Sequence, residues 1–184
     1  VEWISSLQPA SWDANGNLYQ IHSLPGFSHQ AFLDGLYLPT TAKKGYWLQQ
    51  ESTFWRRSLW EKAGASIPNY SLAGDFALWC HFYEKAQLYG VVCPLAGFRM
   101  LEGQRSEAHQ SYMSEASTAL EITRKKLCWN ASATSPLIYH PLSAIPAVKN
   151  WLTPRYGYQG SIIQKTNPRS NQSAWEVAQK RFLP

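Results

Sequence analysis

The stretch Gln49–Gly64, "QQESTFWRRSLWEKAG", and the stretch Leu72–Trp79, "LAGDFALW", decide how this chain is read. The run from Tyr46 to Trp55, "YWLQQESTFW", is aromatic and free of Gly and Pro, which favours a strand. "RRSLWEKAG" then reads as a helix stopping at Gly64, the residue type that best accepts a left-handed turn at a helix end. From Asp75 onward Phe76, Trp79, Cys80 and Tyr83 recur at i, i+3, i+4 and i+7, a helical stripe. A strand end and a helix start thus carry Glu51, Ser52, Thr53, Arg56 and Arg57, and a second helix opens on one acid.

Outward from this pair, "VEWISSL" reads as a strand, and "NLYQIHSL" as another after the turn signal "DANGN". "SHQAFLDGLYL" reads as a short helix, with Ser28 as N-cap and Gly35 near its end. "LYGVVCPLAGFRM" is a strand candidate broken by Pro94. The longest predicted helix spans Ser106 to Leu127. Met113, Ala116, Leu120, Thr123 and Leu127 share one of its faces, and Glu121 with Lys125 forms an i,i+4 pair. Beyond Trp129 the chain reads as loop. "SAIPAVKNWL" suggests a short helix interrupted by Pro146, and Tyr156 to Pro184 is expected to pack loosely except at Trp175. Strands and helices interleave without the regular beat of a complete doubly wound sheet, so the expected fold is α/β and partial.

At 184 residues the chain holds one domain or slightly more, divided here into residues 1–130 and a partly irregular extension, 131–184. Nine Trp is the unusual feature, and so many indoles must be buried or line a concave surface. No apolar run approaches the ~18 residues of a membrane span. The first residue is Val1 rather than Met, which reads as a processed product or a piece of something longer. Three cysteines without CxxC spacing disfavour a disulfide framework and a zinc site. They suggest a cytoplasmic chain, at most peripheral to a membrane.

Five histidines show no HxxxH or HxH spacing, so a metal site made by this chain alone is not expected. GxxxxGK[ST], GxGxxG and G-x-S-x-G are all absent. The net charge of +5 fits anionic partners in general, but no recognition motif supports nucleic acid.

Asp75 carries two readings. As a helix cap it occupies a common position for aspartate. As a general base it is an acid at a positive helix end, able to take a proton from a hydroxyl. Glu51, Arg56 and Arg57 fit either a surface ion pair or a site at a strand's carboxyl end, where arginine meets phosphate. Trp47, Trp55, Trp60 and Trp79 fit either a core or a wall on which sugar rings stack.

Taken in order, "QQESTFWRRSLWEKAG", "LAGDFALW", "LYGVVCPLAGFRMLEGQRS" and the Y-x-x-E from Tyr112 to Glu115 resemble the C-terminal half of inverting, family-2 glycosyltransferases of the GT-A type. The resemblance runs from about Val1 to Glu115. It implies a partial Rossmann-like GT-A fold, a mixed sheet with flanking helices whose donor-binding half is missing. It implies Asp75 as catalytic base, with Glu51, Ser52, Arg56, Arg57 and Trp79 near the acceptor and leaving diphosphate. Arg99 and Gln104 would close over the site. It also implies a nucleotide-sugar donor, a glycan acceptor and a divalent metal, Mg or Mn, in the full-length enzyme.

Met100 and Leu101 stand where many relatives carry a histidine. The only aspartates are Asp13, Asp34 and Asp75, so no Asp-x-Asp for holding a metal on the diphosphate is present. The expectation is an acceptor-side half, inactive alone, that exposes a sheet edge and an apolar patch near Trp3, Tyr46 and Trp47 and self-associates through them. The alternatives are a carbohydrate-binding module without catalysis and a protein-interaction domain.

Overall fold

The computed structural model describes residues 1–38, 46–67, 69–104, 109–130, 145–167, 169 and 172–183. The chain is mixed α/β, with two mixed sheets and flanking helices. In the larger sheet the order is β4 (Thr53–Trp55), β1 (Trp3–Ser6), β5 (Leu88–Val91), β7 (Tyr158–Lys165), β8 (Trp175–Phe182). β1, β5 and β7 run parallel, and the two outer strands pair antiparallel. The smaller sheet places β2 (Ala10–Trp12) between β3 (Leu18–Ile21) and β6 (Gly97–Arg99).

The turn between β2 and β3 is the expected one. Asp13 Oδ1 accepts from the Asn15 and Asn17 amides at 2.9 and 2.8 Å, and Gly16 takes φ +87°. Pro94 separates β5 from β6, as its missing N–H requires.

The inner face of the larger sheet is set by Trp3, which is 1% exposed. Its ring stacks on Trp79 at 5.8 Å and meets Phe82 and Tyr83 edge-on at 5.3 and 4.8 Å. These three partners come from α3 (Gly74–Tyr83), in which Phe76, Ala77, Leu78 and Cys80 are buried as well. The stripe read from sequence is therefore too narrow: α3 is apolar nearly all round because sheet and helices enclose it. A surface patch at Trp3 does not form. Tyr46 and Trp47 are each half-buried, and Tyr46 donates to the Leu183 carbonyl.

α1 (His29–Leu33) is capped by Ser28 and ends before Gly35, whose φ is +83°. α2 (Arg57–Lys62) ends before Gly64, at φ +103°. α4 (His109–Lys126) buries Ala116, Ala119, Leu120 and Thr123 against the core, while Leu127 is exposed. The predicted start at Ser106 lies outside the described residues. Glu121 pairs with Arg124 rather than Lys125, because the Arg124 guanidinium is already held at α1 by the Leu33 carbonyl, 2.6 Å from Nε.

Three expectations are corrected. The strand expected over 46–55 shrinks to Thr53–Trp55, preceded by a 3-10 turn at Gln50–Ser52. Gln49 and Ser52 divert polar bonds into side chains: Gln49 Nε2 donates to the Ala10 carbonyl, and Ser52 Oγ to Gln49 Oε1. Pro146 does not interrupt a helix but opens α5 (Pro146–Tyr156), where its missing N–H costs nothing. The segment after Tyr156 is not loose, since β7 lies between β5 and the edge strand β8, while Trp175, expected to be its one packed point, is 52% exposed. Gly160 lets the Phe27 backbone pack directly over β7, because a Cβ there would stand 2.0 Å from the Phe27 carbonyl oxygen.

Candidate functional site

The first turn of α3 and the facing side of α4 make the site. Ala73 is the N-cap of α3 and makes no side-chain cap bond. The loop nitrogens before it are met from α4 instead. Glu115 Oε2 accepts from the Leu72 and Ala73 amides at 2.8 and 2.9 Å, and Oε1 from Ser71 at 3.3 Å.

Asp75 stands inside the helix rather than at its cap. Its Oδ1 accepts from the Phe76 amide at 2.7 Å and from the Tyr112 hydroxyl at 3.1 Å. Its own backbone amide also leans on the carboxylate. Burial pushes the Asp75 carboxyl above its ordinary value, and the Phe76 and Tyr112 donors recover only part of that rise. Burial, and then the neighbouring Asp75 charge, pushes the Tyr112 phenol up in turn, so Tyr112 keeps its proton and acts as donor.

Two clefts meet at this carboxylate. One, of about 470 Å³, is lined by Trp55, Trp60, Ile67, Leu78 and Arg57. The other, of about 540 Å³, is lined by Glu51, Trp47, Phe98, His109 and Tyr112. Asp75, Trp79 and Gln50 belong to both, so the acid sits on their common wall. Trp55 is 39% exposed and meets Trp79 edge-on at 5.7 Å. Trp79 is buried, and its Nε1 has no hydrogen-bond partner among the described residues.

Of the residues singled out in the sequence, Asp75, Trp79, Glu51 and Arg57 come together here. Glu51 forms no ion pair among the described residues, while Arg57 holds Glu61 at 2.9 Å on the surface. Ser52 does not reach either cleft. It is fully buried, its hydroxyl divided between Gln49 Oε1 at 2.6 Å and the Ala96 carbonyl at 3.0 Å. Arg56 is the N-cap residue of α2 and donates from Nε to the Val1 carbonyl. Arg99 is displaced by the strand period of two. Phe98 faces the cleft, and the Arg99 guanidinium lies over Gly16. Gln104 donates to the Arg99 carbonyl at 2.8 Å and stays with it.

Gln50, Phe98 and His109 are cleft residues that sequence reasoning missed. Tyr112 and Glu115 were noted only as a pair, although their i,i+3 spacing was a signal that both face one neighbour. Among the described residues no three His, Cys, Asp or Glu side chains gather as metal ligands. Cys80 is no nucleophile here, because burial pushes its thiol up to about 12. No family model, no curated protein and no solved structure matches the chain.

Proposed function

We propose that this chain supplies the acceptor side of an inverting glycosyltransferase, with Asp75 as general base. The observation that supports it most is the position of Asp75: a partly desolvated carboxylate, with one oxygen on the Phe76 amide and the Tyr112 hydroxyl, on the wall between an aromatic cleft and a polar one. A carboxylate whose pKa is raised is a stronger base, and the Phe76 and Tyr112 bonds engage Oδ1, so Oδ2 is the oxygen assigned to the acceptor hydroxyl.

In the proposed reaction the acceptor saccharide lies against Trp55 and Trp60, apolar sugar faces on indole. Its hydroxyl gives a proton to Asp75 Oδ2 as the oxygen bonds to the anomeric carbon of the donor, presented from the Glu51 side. The bond from that carbon to the diphosphate oxygen breaks with inversion, and the diphosphate leaves with the electron pair. Arg57, which lines the aromatic cleft, supplies a cation beside this event. A divalent metal on the diphosphate would need ligands that the described residues do not gather. The relation to the GT-A fold and to family-2 enzymes is part of this proposal and rests on the sequence motifs alone.

The test is a pair of calorimetric titrations. Oligosaccharides are expected to bind the chain weakly, with binding lost in Trp55→Ala. A UDP-sugar is expected to bind poorly and without turnover. Micromolar UDP-sugar binding, or saccharide binding indifferent to Trp55, contradicts the proposal.

A further inference from the structure

The charge of this protein is divided sharply along the chain. Residues 1–144 carry 11 basic and 11 acidic side chains, whereas residues 145–184 carry six basic and one acidic. The entire net charge of +5 therefore belongs to the C-terminal segment, which forms α5, β7 and β8.

The same segment exposes large apolar side chains. Trp151 on α5 is 55% exposed, and Trp175 and Val177 on β8 are 52% and 56% exposed. Each indole is paired with a cation: Arg155 stands 4.5 Å over the Trp151 ring, and Lys165 5.8 Å over the Trp175 ring. The β8 pleat places Trp175, Val177, Gln179 and Arg181 on one face, and Arg181 is bonded to the Pro154 carbonyl of α5 at 2.6 Å. The helix and that strand face are thereby joined. Glu176, the single acid, points to the opposite face, where Gln164 holds it at 3.1 Å.

We infer that α5 and the outer face of β8 form a docking surface for an anionic lipid bilayer. Indoles flanked by lysine and arginine, with an exposed valine beside Trp175 on the same strand face, suit the headgroup region: rings enter the boundary while cations meet lipid phosphates. A nucleic-acid strand fits less well. One face of each indole is already covered by a cation from this chain, and an exposed Val177 offers nothing to a phosphate backbone. The aromatic cleft around Asp75 lies on other elements, so this surface stands or falls apart from the proposed catalysis.

Vesicle co-sedimentation of the full chain tests the inference, with bromine-labelled acyl chains as quenchers of tryptophan emission. Vesicles with about one-quarter phosphatidylserine are expected to bind the chain, and pure phosphatidylcholine vesicles at least about tenfold less. Raising salt to about 0.5 M is expected to release it. Trp151→Ala with Trp175→Ala is expected to weaken binding about tenfold and remove most quenching, with an unchanged far-ultraviolet spectrum. Lys165→Glu alone is expected to weaken binding several-fold. Failure to bind anionic vesicles overturns the inference. So does binding indifferent to these substitutions, or tighter binding to an RNA duplex with no quenching by brominated lipid.

Discussion

The Tyr112 hydroxyl donates to Asp75 Oδ1 across 3.1 Å and ties α4 to the first turn of α3. A neutral donor on a partly buried carboxylate stabilises the ionised form, so it limits how far burial raises the acid. Tyr112→Phe removes that donor and keeps the ring. The Asp75 carboxyl is expected to titrate at higher pH in this variant, read from its side-chain carbon resonance. An unchanged titration means that the hydrogen bond is not populated in solution.

Asp75 also bears on stability. Its folded-state pKa lies above the ordinary 3.8, so folding takes up a proton in the interval between the two values. The favourable contribution is complete below 3.8 and is lost as pH rises through the folded-state value. At neutral pH the ionised acid therefore costs stability. Asp75→Asn keeps an acceptor for Phe76 and Tyr112 while removing the charge. It is expected to stabilise the chain at pH 7 by about 0.5–2 kcal/mol, with the gain vanishing towards pH 4. Urea melts of both forms across that range measure it. A variant less stable than the parent at pH 7 contradicts the placement of Asp75.

Glu115 is expected to matter more for folding than its half-buried position suggests. Three loop amides depend on its carboxylate, and Glu115→Ala leaves them unmet, at a cost of about 2 kcal/mol. Glu115→Gln retains an oxygen acceptor and should lose less than half of that. Equal losses for the two variants would show that packing, not the amide bonds, is what the side chain provides.

Two tryptophans of similar appearance in the sequence should behave oppositely. Trp3 lies under α3 among Trp79, Phe82 and Tyr83, and Trp3→Ala is expected to cost about 3–5 kcal/mol. Trp55 is 39% exposed on a three-residue edge strand, and Trp55→Ala is expected to cost under about 2 kcal/mol while abolishing saccharide binding. Thermal melts and calorimetry on the two variants separate core from cleft.

What the sequence discloses follows from how local each cause is. The caps and turns at Ser28, Gly35, Gly64 and Asp13–Gly16 were legible because each is fixed within a few residues. The nearness of Asp75 to Glu51 on one side and Arg57 on the other was legible only as order along the chain, since Glu51 lies in a turn before β4 and not at a strand's end. The place of β7 was not, because pairing with β5 depends on contacts some 70 residues apart and the polar sequence hides an enclosed strand. The hold of Glu115 on the loop amides before α3 is likewise long-range. Arg99 was misplaced for a simpler cause: a one-residue phase on a strand decides which side reaches the cleft, and the motif does not state that phase.

The most direct measurement follows the three aspartates, labelled at the side-chain carboxyl carbon, through a pH titration with and without an oligosaccharide. With Asp13, Asp34 and Asp75 alone in the spectrum, each resonance can be assigned by single substitution. If Asp75 is the base, it titrates above 3.8 in the free chain and responds to the saccharide, while Asp13, held low by Asn17, does not. An Asp75 that titrates at or below 3.8, or that ignores a bound saccharide, would contradict its role in sugar transfer.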